Sequence, residues 1–276
     1  MRFKAHITLL FAIISTTLSA QNHPTGFGVA YYDVGELYDT EKSELYDDAD
    51  FTPQGKMRWD EVRYRRKVEH TVQVIDSMAM PVVVLYGVEN EKVVRDLVTL
   101  SKGDYAYLHH DQNIGGGLEF AVLYQGDRFF PERITPWSGA LAIEGSAGKV
   151  PFTIIASKRS SSLGVLMERL GINAISDNII LIGQFRKESL ERVLPSLGSQ
   201  PTTQQEQPNK ASFGGWIVQD QCLASTKLKY SRGVYIKHWL LDNSGRLLGT
   251  FGGKHYRGGY SSSLPIYIYF IDLFAD

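Results

Sequence analysis

Arg58-Trp59-Asp60-Glu61-Val62-Arg63-Tyr64-Arg65-Arg66-Lys67-Val68 begins the stretch whose reading decides the fold, and Val82-Val83-Val84-Leu85-Tyr86-Gly87-Val88-Glu89-Asn90 ends it. Asp60 has the short acceptor side chain of a helix N-cap. Val68, Val72, Ile75 and Ala79 recur at the 3.6-residue period of a helix with one apolar face. Met80-Pro81 stops that helix, because proline pushes the residue before it out of the α region. Val82 to Leu85 is an apolar run short enough for a strand buried on both faces. A helix feeding such a strand makes the strand's C-terminal end a natural place for a site, and Gly87 stands there.

Outward from this stretch, residues 1–20 read as an export leader. Arg2 and Lys4 are charged, Ile7 to Ile14 is apolar, and Leu18-Ser19-Ala20 offers a small-residue cleavage site. The apolar run is short for a bilayer span, and no other stretch is long and apolar enough to be one. Removing the leader leaves 27 basic against 30 acidic residues, so the mature chain lacks the basic footprint of a general nucleic-acid binder. Residues 21–276 suit one large domain, expected to be a monomer in the periplasm or outside the cell. Cys222 is the only cysteine, so no internal disulfide forms and the core must supply the stability. Cys222 itself reads as a small buried hydrophobe.

Strands are expected at Val29–Val34, Tyr105–His110, Leu118–Tyr124, Leu141–Glu144, Pro151–Ala156, Ile179–Gly183, Trp216–Leu223 and Leu264–Phe270. Helices are expected over Glu91–Ser101, with Val93, Val94, Leu97 and Leu100 on one face, and over Leu163–Leu170. Leu190–Leu194 belongs to a further short helix. Asp39–Pro53 and the polar Gly198–Ser212 read as loops.

Six segments in order resemble the endonuclease/exonuclease/phosphatase superfamily, particularly its secreted bacterial branch. Tyr32-Asp33-Val34-Gly35-Glu36-Leu37-Tyr38-Asp39 is similar to that family's opening Tyr-Asn-Val-Glu-Asn-Leu-Phe-Asp. Phe51 to Asn90 is similar to its first helix and second strand, and His110–Tyr124 to its Arg-Gly-Ile-Asp-Val-Ala-Leu-Leu-Tyr strand. Ile179–Phe185 resembles the Gly-Asp-Phe-Asn strand and Trp216–Ser225 the Trp-x-x-x-Asp-Gln strand. Gly258–Ile266 resembles the terminal Tyr-Ser-Asp-His-Leu-Pro-Val. The resemblance implies a four-layer α/β sandwich, two mixed β-sheets face to face with helices outside.

It also implies a site that this chain does not supply. The family's metal-binding Glu falls on Gly87, its opening Asn on Asp33, and its Gly-Asp-Phe-Asn pair on Gln184 and Arg186. The terminal Asp-His falls on Ser262 and Ser263, the Asn-His of Asn-His-Trp-Pro-Ser-Arg near Ile154 and Ile155, and a phosphate-side Arg on Gly116. Glycine and isoleucine cannot ligate a metal, and serine does not replace an imidazole base near neutral pH. Asp220 is the retained partner of the missing histidine and is expected to be a structural acceptor. Asp33 and Glu89, with Glu36 as a third, are the weak candidates for a repurposed cation site. No cofactor is expected; the alternative, a divergent nuclease or phosphatase, would need Mg2+ or Mn2+.

His109-His110-Asp111 and the phosphate-loop-like Lys158-Arg159-Ser160-Ser161-Ser162 carry no full motif. Arg63, Arg65, Arg66 and Lys67 are read as a solvated or structurally paired helix face. Arg186 puts a permanent positive charge into the old metal cleft and is expected to pair with Asp33 or Asp220. The function expected is an exported module with an unknown ligand in a neutral polar cleft, its hydrolysis lost.

Overall fold

The computed structural model describes residues 26–110, 116–172, 178–193, 220–271 and 273–274. The expected leader, the loop Gly198–Ser212, the stretch Trp216–Gln219 and Asp111 lie outside these.

The strands are β1 (Phe27–Leu37), β2 (Val82–Val88), β3 (Ala106–His109), β4 (Glu119–Tyr124), β5 (Phe130–Trp137), β6 (Ala140–Ala147), β7 (Val150–Lys158), β8 (Ile179–Gln184), β9 (Gln221–Ser225), β10 (Tyr230–Val234), β11 (Phe251–Gly252), β12 (His255–Tyr256) and β13 (Ile266–Phe270). The helices are α1 (Glu61–Met78), α2 (Glu91–Leu100), α3 (Leu163–Arg169) and α4 (Lys187–Val193). One sheet runs β10-β13-β1-β2-β4-β3, the other β5-β6-β7-β8-β9, and β11-β12 is a small hairpin. Both large sheets are mixed. Each has one parallel pair, β1 with β2 and β7 with β8, and each pair is bridged by a helix because parallel strands need a crossover.

The alternation of β7 and β8 builds the layers. Ile154, Ala156, Ile180 and Ile182 point into the core shared with the first sheet. Ile155, Ile179 and Leu181 point the other way, against Leu163, Leu166, Met167 and Val193 of α3 and α4. A strand's side chains alternate between faces, so a sheet covered on both must be apolar at every position. On the first sheet α1 lays Val68, Val72 and Ile75 into the core, and the result is the four-layer sandwich expected.

Asp60 caps α1, accepting the Arg63 N–H at 3.0 Å. Ala79 departs from the expected buried face. It is exposed and left-handed, φ 50°, and its N–H closes on the Ile75 carbonyl at 3.1 Å. The helix has to end before Met80, whose α conformation Pro81 excludes. Leu100 likewise lies outside the buried face of α2, at 48% exposed. The sequence reading missed β5, whose Pro131 and Pro136 argue against an interior strand; β5 is an edge strand, where proline is tolerated. Cys222 is buried in β9 as expected, and burial pushes its thiol up to about 12. No helix among the described residues is long and apolar enough to cross a membrane.

Candidate functional site

The C-terminal ends of the two parallel pairs meet, and the site lies between them. β1 brings Asp33 and β7 brings Lys158, whose ammonium bonds and ion-pairs with Asp33 Oδ2. The other oxygen, Oδ1, accepts the Gly35 N–H at 2.9 Å, and the Asp33 carbonyl accepts the Ser261 hydroxyl at 2.7 Å. Lys158 also stands over the Tyr86 ring, 5.1 Å from its centroid. It leaves β7 on the same face as Ile154 and Ala156, which is why a residue of the second sheet reaches the first.

Ile154 and Ile155, set as counterparts of the family's Asn-His, are fully buried core residues. Lys158, at the end of the same strand, is the residue that enters the site. Its strand parity and terminal place were the signals available. Arg186 does not make the expected pair. It is exposed, its Nε donates to the Arg159 carbonyl at 2.7 Å, and the cation on Asp33 is Lys158. No carboxylate among the described residues pairs with it. Gln184 ends β8 beside Lys158 in the parallel register, and its carbonyl accepts the Arg159 N–H at 2.7 Å.

Gly87 is a backbone feature rather than a lost side chain. Its φ is +91° and that of Gly35 is +79°. The β1–β2 register slips between Asp33 and Leu37, and the β2–β4 register between Tyr86 and Val88, so both strand ends bulge. A Cβ on residue 87 would overlap the Gly35 carbonyl oxygen and stand 2.9 Å from its carbon. No carboxylate can be placed at 87 on this backbone.

The bulge also decides Glu89. An extended strand would have put it on the face of residue 87. Instead its buried carboxylate fixes the loop that follows β1, accepting the Asp39 N–H at 2.6 Å and the Tyr46 hydroxyl at 3.0 Å. Burial raises it to about 7. Glu36 is exposed, and Asp33, Glu36 and Glu89 form no metal-holding group among the described residues.

Asp220 is 3% exposed and lies within the field of Asp33 and Lys158. Burial, then the Asp33 charge, raises its carboxyl to about 7, while Lys158 acts in the opposite sense. The Tyr31 hydroxyl is buried close enough to feel both carboxylates and has no hydrogen-bond partner among the described residues. Its ring lies where a Cβ on Gly183 would come within 3.2 Å. Ser262 is exposed, and Ser263 donates its N–H to Ser261 Oγ at 3.2 Å. Ser261, not predicted, is the serine that braces Asp33. Gly116 has φ +89°, and its carbonyl accepts the Tyr38 hydroxyl at 2.9 Å.

Lys67 underlies the bulge. It is 1% exposed, and its ammonium donates to the Val34 carbonyl at 2.5 Å, to Thr250 Oγ1 at 2.7 Å and to the Tyr260 carbonyl. Burial lowers its pKa to about 7. The expected basic helix face is therefore divided. Arg63 stacks on Tyr256, 4.6 Å from the ring centroid, Arg65 pairs with Glu61 at 2.7 Å in solvent, and Lys67 is internal.

A magnesium site needs clustered oxygen ligands with room for water. Among the described residues no group of three or more His, Cys, Asp or Glu side chains could hold a metal ion. Asp33 is occupied by an ammonium, and position 87 has no room for a ligand. The described residues do not fit a divalent metal.

Residues 28–139 match the model of the Endonuclease/Exonuclease/phosphatase family. No curated protein matches the chain in sequence. Among solved structures, the humanized D. rerio TDP2 carrying 14 mutations is similar at TM-score 0.54 and 11% identity, covering 89% of this chain and 99% of that one. A Bacteroides thetaiotaomicron mannosyl-6-phosphatase, Bt3783, is similar at 0.53 and 12%, covering 89% and 99%. An endonuclease/exonuclease/phosphatase family protein from the same organism is similar at 0.51 and 12%, covering 90% and 98%. At such identities the likeness is one of fold. The family model matches the part of the chain that carries β1 to β5, and with this shared architecture the chain has the fold of the endonuclease/exonuclease/phosphatase superfamily.

Proposed function

We propose that this chain is an exported binding module of the superfamily fold that has lost metal-dependent phosphodiester hydrolysis. The observation that carries the reading is Gly87. A lost ligand that leaves the backbone unchanged is one substitution from return, whereas here the strand has been rebuilt so that any side chain meets the Gly35 carbonyl. Gln184 and Ser263 stand where the resemblance implies acidic and imidazole groups, and neither supplies a base near neutral pH. What remains around Asp33 is a floor of paired charge and hydrogen-bonding groups, suited to an uncharged polar ligand such as a sugar or peptide.

The test is turnover by the purified mature chain of single- and double-stranded DNA, RNA and bis(p-nitrophenyl) phosphate, with Mg2+ or Mn2+ and with chelator. The expected result is no difference between cation and chelator. Cation-dependent cleavage that disappears in Asp33→Ala would overturn the proposal and favour a divergent hydrolase.

A further inference from the structure

Lys158 has the surroundings of a bound cation rather than of a surface lysine. One side of its ammonium meets the Asp33 carboxylate, which is 10% exposed, and another lies over the Tyr86 ring at 5.1 Å. A second buried carboxylate, Asp220, lies within its field. The Tyr31 hydroxyl, buried and without a partner among the described residues, borders the same space. Two carboxylates and a π face near these strand ends form an electrostatic trough that favours a positive charge. Lys158 fills it from within the chain, with its side chain 26% exposed.

We propose that the Lys158 ammonium is a resident cation that replaces a divalent metal in this cleft, and that Asp33 with Asp220 forms a latent cation site which opens when that ammonium is removed. This rests on the reading that the chain has lost metal-dependent hydrolysis. It adds the agent that keeps metal out. A divalent ion at Asp33 would have to displace an ammonium tethered by its own backbone, which competes at a fixed high local concentration. Once the tether is neutral, one or two carboxylates completed by water satisfy a hard cation weakly.

The experiment compares the full mature chain with Lys158→Gln, Lys158→Arg and the double variant Asp33→Asn/Lys158→Gln. Thermal unfolding is followed with and without millimolar Mn2+, and bound Mn2+ is read by its paramagnetic resonance signal. Wild type and Lys158→Arg, which both carry a cation, are expected to show no shift and no bound signal. Lys158→Gln is expected to gain about 2–4 °C with Mn2+ and a bound signal, both lost in the double variant.

Folded Lys158→Gln that ignores Mn2+ would overturn the proposal. So would wild-type protein that binds Mn2+ through Asp33, a result that needs no lysine variant to fold. Hydrolysis by wild type would instead remove the functional reading. These measurements of cation binding do not depend on turnover, so the two failures are distinguishable.

Discussion

Two lysines grip consecutive residues of β1 from opposite layers, and they do so by different physics. Lys67, from the helix side, binds the Val34 carbonyl and two further neutral oxygens in complete burial. Lys158, from the facing sheet, binds the Asp33 carboxylate where solvent still reaches. The first is a clasp whose three acceptors match three ammonium donors, at the cost of desolvating the charge. The second is a counterion whose value lies in neutralising a carboxylate. Side-chain chemistry is the same in both, so their difference comes from what β1 presents to each side.

The β2 bulge that packs on Gly35 of β1 should be the most sensitive point. Gly87→Ala combines a Cβ overlap with a positive φ and should cost ~3–5 kcal/mol in urea unfolding. Gly126→Ala, with nothing within 4 Å of its new Cβ, should stay within about 0.5 kcal/mol. A mild Gly87→Ala would mean that the bulge relaxes, and that a ligand could return at this position.

Lys67→Met removes a donor from the Val34 carbonyl, from Thr250 Oγ1 and from the Tyr260 carbonyl, which keeps only the Thr250 hydroxyl, while relieving a buried charge, a net loss of about 2–4 kcal/mol. Lys158→Gln should cost less, about 1–2 kcal/mol, because the pair is partly wet. Equal losses at the two sites would erase the distinction between clasp and counterion.

The remaining effects are in pH. Burial holds Lys67 at about 7 in the folded chain against the ordinary 10.5. Between those values the unfolded chain binds more protons, so this group makes stability climb with pH, a rise that Lys67→Met should remove. Glu89 acts oppositely, its folded pKa being raised from 4.5 to about 7. Its contribution is full below pH 4.5 and is lost as pH rises to about 7. Glu89→Gln should flatten that decline in urea midpoints taken from pH 4 to 8.

The layers were legible in the sequence because apolar runs such as Ile179–Leu181 and the stripe of α1 record which faces are covered. Asp60, Gly87 and Cys222 could be placed from local chemistry. What could not be read was decided by backbone register. A bulge at Gly87 turned Glu89 toward Asp39 and Tyr46, and alternation alone predicts the opposite face. The expectation for Arg186 rests on charge alone, but its Nε meets the Arg159 carbonyl across from the end of β7. Lys158 was passed over as part of an incomplete phosphate loop, although counting by twos from Ile154 puts it on the inward face. Ser261 was hidden because serines 261, 262 and 263 are interchangeable by type. Only their positions after Tyr260 separate the buried one from the exposed.

Cys222, the only thiol in the chain, sits in the edge strand of the second sheet with its pKa pushed to about 12. Thiol reagents act on thiolate, so at neutral pH an intact fold should react very slowly. Its modification rate then becomes a clock for how often β9 peels from β8, with no probe added. The same silence leaves a cysteine engineered on the surface as the chain's one reactive handle, ready to carry a spin label to the rim of the cleft.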